Sequence, residues 1–450
     1  MTSREELLAR AARPAAEALR LHPFYRGKIQ TAPRCPIRSL EDFAIWYTPG
    51  VAAPCREIQA RPERVWAHTN RGNTVAIVSD GTRVLGLGDI GPEAGLPVME
   101  GKALLFKHLG GVDAVPLCLG TRDADELVRA VEWLAPSFGG VNLEDIAQPR
   151  CFRVLERLRA TLPIPVWHDD QQGSAVVLRA GLLNALEIVG KRLDGVRIAM
   201  IGMGAANVAV LHLLRTHGVE GAQIVACDSR GILHRRRDDV EAKRELFPDK
   251  WRVCTETNPD CTAGGIAEAL RGADVCIAFS RPGPDVIEPA WVGAMARDAI
   301  VFACANPVPE IWPWDAQAAG ARIVASGRSD LPNQVNNSLA FPGIFRGALD
   351  VRARSLSDGM ALAASEALAG VAREAGLLDD RLLPHMGELE AHVAVAVATG
   401  LAAQQEGVAA LSLGREALAS GARRRIQEAR ALSALLQREK LILPPPGEAP

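Results

Sequence analysis

Two kinds of hydrophobic spacing alternate along the first half of the chain. Short apolar runs of strand length lie at residues 74–80, 83–88, 114–119, 138–143 and 164–167. Apolar positions at helical spacing lie at residues 2–21, 123–134, 151–162 and 175–189. Strands that alternate with helices are typical of an α/β domain built on a parallel sheet. This half is therefore predicted to be one α/β unit.

The second half repeats the alternation and then becomes wholly helical. Strands are predicted at residues 196–201, 223–227, 273–279, 300–305 and 322–325. Alanine and leucine at helical spacing dominate from 355 to 403, and a more charged helix is predicted over 412–440, before a disordered end at 444–450. The predicted fold class is α/β, with an α/β domain over 1–165, a doubly wound Rossmann-type parallel-sheet domain over 166–355 and a helical region over 356–450.

Composition and charge exclude several classes of partner. The 450 residues are 48% hydrophobic and carry 51 basic and 53 acidic side chains, a net charge of -2. No charge field attracts nucleic acid or an anionic membrane surface. The charge-free run 198–214 is too short and too polar to span a membrane. Charged residues throughout 1–20 and nine cysteines without a Cys-x-x-Cys pair favour a cytoplasmic protein with reduced thiols.

Two pairs of neighbouring acids end two of the predicted strands. Glu144 and Asp145 form the first pair, and Asp169 and Asp170 form the second. Ligands gather at the carboxyl ends of parallel strands, where four converging carboxylates would repel each other unless a cation lay between them. Oxygen ligands without cysteine or histidine favour Mg²⁺ or Mn²⁺ over zinc. The alternative, that Asp170 caps a helix and the other pair is a solvated turn, is favoured for either pair alone.

Tyr47 and Lys102 are candidates for proton transfer. Tyr47 precedes the rigid Pro49-Gly50 turn and could be a general acid, although a buried, hydrogen-bonded tyrosine is commoner. Lys102 is predicted near the start of a helix, where the dipole disfavours a positive charge, and a lowered pKa would let it act as a base. The alternative is an ordinary surface lysine.

The first turn of the second unit has the form of a dinucleotide site. Gly202-Met-Gly-Ala-Ala-Asn207 follows a strand and opens a helix, and the next strand ends at Asp228. This spacing predicts a pyrophosphate at the helix start and a ribose at the acid, although Asn207 replaces the usual third glycine or alanine. Arg230 and the run Arg235–Arg237 could instead attract a 2′-phosphate, or could be a solvated face. The choice between NAD and NADP stays open.

Five motifs resemble those of the malic enzymes in their short bacterial and archaeal form. They are Tyr-Thr-Pro-Gly-Val-Ala, Val-Met-Glu-Gly-Lys-Ala, Phe-Gly-Gly-Val-Asn-Leu-Glu-Asp-Ile, His-Asp-Asp-Gln-Gln-Gly and Asn-Gln-Val-Asn-Asn-Ser-Leu-Ala-Phe-Pro-Gly. The similarity extends from about Leu21 to Ala361. It implies oxidative decarboxylation of (S)-malate to pyruvate and CO₂ with NAD or NADP and Mg²⁺ or Mn²⁺, by a homodimer. Residues 1–165 would be the catalytic domain with substrate and metal, and 166–355 the NAD(P) domain.

The resemblance also implies roles for individual residues. Tyr47 would be the general acid, Lys102 the general base and Asp169 its partner. The metal ligands would be Glu144, Asp145 and Asp170. The cofactor residues would be Gly202, Gly204, Ala205, Ala206, Asn207, Asp228, Arg230, Asn306 and Asn336. The substrate residues would be Arg83 and Asn337, and a role in turn formation is the alternative for each asparagine that follows a late strand.

Two other functions fit the same residues. A malolactic-type lyase would use this site, retain NADH and return the hydride to release lactate. A non-catalytic dinucleotide sensor would be expected to have lost Tyr47, Lys102 or an acid, and all of them are present. Net reduction of added cofactor in an assay with malate separates the enzyme from the malolactic alternative.

Overall fold

The N-terminal segment is helical and largely exposed. The protein is described by a computed structural model that covers residues 4–328 and 330–446. The helix predicted over 2–21 is α1, Arg4–Tyr25, and its predicted start lies outside the described residues. The short helices that follow are α2 (Asp42–Trp46), α3 (Ala52–Ala60) and α4 (Val65–His68). Most side chains between 20 and 64 are exposed, so this segment contributes little to the core of the described chain.

A four-stranded parallel sheet forms the first α/β unit. Its strands are β1 (Thr74–Ser79), β2 (Asp113–Cys118), β3 (Gly140–Leu143) and β4 (Val166–His168), in the order β2-β1-β3-β4. The helices between them are α5 (Pro92–Gly110), α6 (Ala124–Leu134) and α7 (Arg150–Thr161). Because β3 and β4 are parallel neighbours, both acid pairs lie at the same edge of the sheet.

Local sequence accounts for most of this unit, with one wrong prediction. Successive residues of β1 face opposite cores, which explains its uninterrupted apolar run. The Asp123 carboxylate accepts hydrogen bonds from the backbone of residues 125 and 126 and starts α6. Residues 83–88, predicted as a strand, form a tight loop in which Val84 and Gly88 make an isolated bridge. Leu85 has a φ of 48°, a left-handed conformation that a strand does not accommodate.

The second sheet has the predicted doubly wound form. Its strands are β5 (Ile198–Ile201), β6 (Ile224–Asp228), β7 (Gly231–Ile232), β8 (Val275–Ala278), β9 (Ile300–Ala303) and β10 (Ile323–Ser326). The order is β10-β9-β8-β5-β6-β7, and β7, which the hydrophobic pattern did not predict, is an antiparallel edge. Alternate residues of β5 enter two different cores, so helices cover both faces.

Helices surround and extend this sheet. Those that precede or connect its strands are α8 (Ser174–Val189), α9 (Ala205–Thr216), α10 (Asp238–Glu241), α11 (Pro248–Glu256), α12 (Ile266–Leu270), α13 (Pro289–Val292) and α14 (Pro313–Ala318). Those after the last strand are α15 (Phe341–Asp350), α16 (Asp358–Ala375), α17 (Leu389–Gln405) and α18 (Arg415–Arg438). The helical spacing predicted over 355–403 corresponds to two helices, α16 and α17.

The boundary between the two units lies beyond β4. Val166–His168 pairs with β3 in the first sheet, so a boundary between residues 165 and 166 would cut this strand from its neighbours. The 16-residue helix α8 connects the two sheets. Helix α9 packs against the turn that follows β4. The acid edge of the first sheet and the first turn of the second are thereby neighbours.

Two findings bear on the predicted environment. Among the described residues, no helix is long and apolar enough to cross a membrane. All nine cysteines lie in the described ranges and none forms a disulfide, and five of them are buried.

Candidate active site

Asp169 is the most deeply buried acid of the site. It opens a π-helical turn, Asp169–Gly173, between β4 and α8, and such turns are frequent at functional sites. One carboxylate oxygen accepts a 3.2 Å hydrogen bond from the Trp167 indole, and the other accepts one of 2.6 Å from Lys102 Nζ. A Cβ at Gly173 would collide with this carboxylate, so glycine is required there.

Lys102 lies between acids from two different strands. Its Nζ is 2.6 Å from Asp169 Oδ2 and 2.8 Å from Glu144 Oε1, and it lies 4.5 Å from the centre of the Phe341 ring. The helix that carries it begins at Pro92, so Lys102 lies in the middle of α5. The helix dipole acts mainly at the first and last turns, so it does not determine the charge state of Lys102. Lys102 is buried, which removes the interpretation as a surface lysine.

The predicted metal ligands occupy neighbouring strand ends. Asn142 donates a 2.8 Å hydrogen bond to Glu144 Oε2, and the backbone N–H of Asp145 donates one of 2.8 Å to Asp170 Oδ2. Asp145 has a φ of 56°, so the chain turns sharply at this residue. Its Oδ2 is buried and has no hydrogen-bond partner among the described residues.

Burial of several acids together sets the electrostatics of the cluster. Burial and the neighbouring Asp170 and Glu144 carboxylates raise the pKa of Asp145 to about 9. Burial raises the pKa of Glu144 to about 7 and that of Asp169 to about 7, although Lys102 opposes both shifts. The ionised forms of these acids are therefore disfavoured, because the charge of Lys102 does not offset burial and mutual repulsion.

The pKa of Lys102 is shifted in the opposite direction from the sequence prediction. Burial lowers this pKa, but the charges of Asp169 and Glu144 outweigh burial and raise it above its ordinary value. The predicted lowered pKa of Lys102 is wrong, because the prediction rested on the position of Lys102 in its helix and did not include the charges of the two acids.

The acids fit a hard divalent cation in chemistry. Among residues 4–328 and 330–446, no group of three acidic, histidine or cysteine side chains is arranged to bind a metal ion. Glu144 contacts Lys102 instead. The unpartnered Asp145 oxygen and the raised pKa of each acid nevertheless identify a place where an added positive charge is stabilising. Carboxylate oxygens without thiolates suit Mg²⁺ or Mn²⁺.

Arg83 adjoins the acids, whereas Tyr47 does not contact them. The backbone N–H of Arg83 donates a 3.0 Å hydrogen bond to the Asp145 carbonyl, and the exposed guanidinium lowers the pKa of Asp170 against the larger effect of burial. Tyr47 ends α2 with 71% of its surface exposed, and no hydrogen bond of its hydroxyl is found among the described residues. No contact between Tyr47 and Lys102, the predicted acid and base, is found among the described residues.

The glycine turn of the second sheet has the geometry of a phosphate site. Gly202 has a φ of 84°, and a Cβ there would clash with the backbone of Phe279 and Ser280. A Cβ at Gly204 would meet no atom within 4 Å, so the turn opens to free space. Ala205 and Ala206 begin α9, and their N–H groups are free of helical partners.

The Asn207 side chain binds the backbone of its own turn, a role that the sequence motif did not indicate. Its buried amide donates to the backbone carbonyls of Ile201 and Gly202 at 3.1 and 2.6 Å. The side chain therefore holds the turn from inside, and only its backbone faces the helix start. This explains how the turn keeps its form without the third glycine.

Asp228 ends β6 as predicted but is already paired. Arg237 and Lys250 each lie 3.3 Å from its carboxylate. Arg230 is 66% exposed on its side chain and makes a 3.2 Å ion pair with Asp239. Lys250 lies 22 residues beyond Asp228 in the chain, and no local sequence signal connected the two.

The three predicted amides differ in their surroundings. Asn336 donates to the Gly327 carbonyl at 3.3 Å and accepts from the Ser338 N–H at 3.0 Å, so it also caps a short turn. Asn337 lies against Gly173 of the π-helical turn. Asn306 is half-buried and follows β9. Turn formation therefore accounts for part of the role of Asn336.

Comparisons with known proteins identify the family. The family described as "Malic enzyme, N-terminal domain" matches residues 26–159, and "Malic enzyme, NAD binding domain" matches 171–405. The Bacillus subtilis bifunctional malic/malolactic enzyme is 47% identical over 91% of this chain and 97% of its own. The Geobacillus stearothermophilus NAD-dependent malic enzyme is 48% identical over 85% of this chain and 78% of its own.

A solved structure agrees with the sequence matches. The crystal structure of Entamoeba histolytica malic enzyme has a TM-score of 0.95 and 45% identity, and covers 98% of this chain and 92% of its own. Relatives described as NADP-dependent malic enzymes also match. The predicted resemblance and the α/β fold are confirmed, and the chain belongs to the malic enzyme family.

Proposed function

We propose that this protein oxidatively decarboxylates (S)-malate to pyruvate and CO₂ while reducing NAD⁺ or NADP⁺. The observation that carries the proposal is a buried lysine paired with acids of two strand ends, beside a dinucleotide-type turn. Such a site combines a proton acceptor, oxygen ligands and a hydride acceptor, which are the three needs of this reaction.

Side chains of this chain would bind and orient the substrate. Arg83 is exposed beside Asp170, so its guanidinium is free to pair with a malate carboxylate. Asn337, against the π-helical turn, offers an amide to the same ligand. Glu144, Asp145 and Asp170 would hold Mg²⁺ or Mn²⁺. The cation supplies Lewis acidity toward the substrate oxygen and a positive charge that opposes protonation of Lys102.

Proton transfers would be divided between two residues. Lys102 would take the proton of the malate C2 hydroxyl, and a bound nicotinamide would supply the acceptor for the C2 hydride, so that oxaloacetate forms. The bond from C3 to the C4 carboxylate then breaks, CO₂ leaves and the electron pair forms the enolate of pyruvate. Tyr47 donates a proton to C3. Asp169 keeps Lys102 directed at the substrate through its 2.6 Å contact.

A steady-state assay tests the proposal. Malate, NAD⁺ or NADP⁺, and Mn²⁺ or Mg²⁺ are expected to give pyruvate and reduced cofactor in equal amounts. Absence of cofactor reduction with every combination would contradict it.

A malolactic reaction is the second candidate. The Bacillus subtilis relative is described as bifunctional malic/malolactic. In that reaction the hydride returns to pyruvate before the cofactor leaves, so lactate accumulates without net cofactor reduction. Lactate measured in the same assay separates the two activities.

We propose a modest preference for NADP. The repulsion that Asp228 would exert on a 2′-phosphate is reduced because Arg237 and Lys250 already pair with it. Arg230 projects into solvent two residues beyond and can bind the phosphate bidentately.

Arg230→Ala tests this preference. The KM for NADP is expected to rise several-fold while that for NAD stays nearly unchanged, because only NADP carries the 2′-phosphate. Steady-state kinetics with both cofactors measure the change. Arg192→Ala is the control, since Arg192 is an exposed arginine paired with Asp194 at another place. Equal changes for both cofactors would show that Arg230 does not read the phosphate.

We further propose a cytoplasmic homodimer in which a second copy covers the N-terminal segment. The segment exposes large apolar side chains, including Leu40, Ile45 and Trp46. An apolar surface of this kind marks a protein contact. Tyr47 lies on it, so dimerisation would bring the proton donor into an enclosed site. The free thiols of all nine cysteines suit a reducing compartment.

Ile45→Glu tests the dimer. A buried carboxylate would destabilise the contact, so the variant is expected to sediment as a 48.0 kDa monomer. Its turnover should fall by at least about tenfold, because Tyr47 is then no longer enclosed by the second copy. Leu246→Glu, at another exposed leucine, should leave mass and turnover unchanged. A monomeric wild-type protein with full activity would contradict the proposal.

A further inference from the structure

Glu310 is a buried carboxylate at the cofactor edge of the second sheet. Its side chain has no exposed surface, and it lies in the loop between β9 and α14. One oxygen accepts hydrogen bonds from the Ser280 N–H at 2.7 Å and the Ser280 hydroxyl at 3.0 Å. The other accepts from the Ala305 N–H at 2.9 Å. One side chain therefore joins the loops that follow β8 and β9.

Each oxygen of Glu310 faces a backbone N–H group, which can only donate, so both oxygens must accept. No ion pair of Glu310 occurs among the described residues, and its charge is held by neutral hydrogen bonds alone. Burial raises the pKa of Glu310 to about 7, while the bonds from Ala305 and Ser280 lower it. Burying a carboxylate costs free energy, and a glutamine at this position would direct an N–H group at another donor. The use of glutamate here therefore indicates that the geometry of the two loops must be fixed.

Both loops held by Glu310 face the region where the two sheets meet. The loop after β8 packs against Gly202 through Phe279 and Ser280. Gly86, in the loop of the first unit that carries Arg83, lies against Pro282 and the Asn306 carbonyl. The two loops thus contact the dinucleotide turn on one side and the substrate loop on the other.

We infer that Glu310 is a positioning residue that fixes the loops facing the nicotinamide end of the cofactor, and so aligns the hydride acceptor with the substrate loop. The inference rests on the proposed function, because it places the nicotinamide beside the two loops that contact Gly86 of the substrate loop and Gly202 of the dinucleotide turn. Glu310 does not touch the reacting atoms itself. It acts through Ser280 and Ala305, and the carbonyl of the next residue, Asn306, lies against Gly86.

Substitution at Glu310 should therefore affect the nicotinamide more than the adenosine half. Glu310→Gln leaves a buried donor unpaired, which costs an amount equivalent to about tenfold or more in an equilibrium constant. Glu310→Asp keeps the charge but is one methylene shorter, so it should retain part of the function. Ser280→Ala removes only the hydroxyl bond and should cause a smaller loss in the same direction.

The experiment compares binding of the reduced cofactor with binding of its adenosine fragment. NADH and NADPH are titrated into wild type, Glu310→Gln, Glu310→Asp and Ser280→Ala by nicotinamide fluorescence, and ADP-ribose or its 2′-phosphate by calorimetry. We expect Glu310→Gln to weaken binding of the reduced cofactor by about tenfold or more and binding of the fragment by less than about threefold. Its kcat with malate should fall as well. Glu288→Gln, at an exposed glutamate near α13, is the control and should match wild type.

Different outcomes separate this inference from the proposed function. Unchanged reduced-cofactor binding in Glu310→Gln, or equal weakening of cofactor and fragment, would overturn the positioning role. Should Glu310→Gln not fold, Ser280→Ala decides: no selective loss for the reduced cofactor would overturn the role. Failure of the wild type to bind any dinucleotide would instead overturn the proposed function.

Discussion

Lys102→Ala is expected to lower malate oxidation by roughly 10²- to 10⁴-fold, the usual effect of removing a positioned proton carrier. The reason is geometric, since Nζ is the one basic nitrogen in contact with both Asp169 and Glu144 among the described residues. Steady-state turnover with malate measures the loss. Lys107→Ala is a matched control on the same helix, because Lys107 is partly exposed and pairs with Asp113 away from the acids.

Tyr47→Phe extends the test to the second proton transfer. The variant should also fail to convert supplied enolpyruvate to pyruvate, because that step needs a proton at C3 and no oxidation. Near-normal turnover of both Lys102→Ala and Tyr47→Phe would remove the proposed division of roles.

Metal removal is expected to abolish turnover, and Mn²⁺ or Mg²⁺ should restore it. The acids at the ends of β3 and β4 carry raised pKa values from burial and mutual repulsion, so a bound cation stabilises their ionised forms. Chelator-treated protein, assayed before and after metal addition, measures the effect. Full turnover by demonstrably metal-free protein would end the idea.

Direct binding gives a second readout for the metal. Asp145→Asn should weaken Mn²⁺ binding in calorimetry, because Asp145 contributes the buried unpartnered oxygen. Asp194→Asn, at an exposed acid paired with Arg192, should bind Mn²⁺ as the wild type does.

Local patterns predicted the architecture because each signal acts over a short range. Apolar runs and helical spacing located the parallel strands of both sheets, and the Gly202 turn located the dinucleotide-type loop. The loop at 83–88 was misassigned because its alternating apolar residues imitate a strand, whereas Leu85 adopts a left-handed conformation. The edge strand Gly231–Ile232 has only two residues, too few for a periodic signal.

The electrostatics of the site could not be predicted from local sequence. The pKa of Lys102 depends on Glu144 and Asp169, which are 42 and 67 residues away and meet it only in the folded chain. Lys250 and Glu310 were missed for the same reason, because their partners Asp228 and Ser280 are distant in sequence. In the proposed dimer a second copy would cover the exposed Tyr47, and no local sequence signal indicates such a contact.

The fate of the C2 hydrogen of malate tests the central claim most directly. Malate deuterated at C2 is incubated with the protein, Mn²⁺ and excess NADP⁺ or NAD⁺, and the products are analysed by mass spectrometry. We predict deuterium in the free reduced nicotinamide and one unlabelled pyruvate for each cofactor reduced. Deuterium recovered in lactate, with no reduced cofactor released, would contradict oxidative decarboxylation at this site.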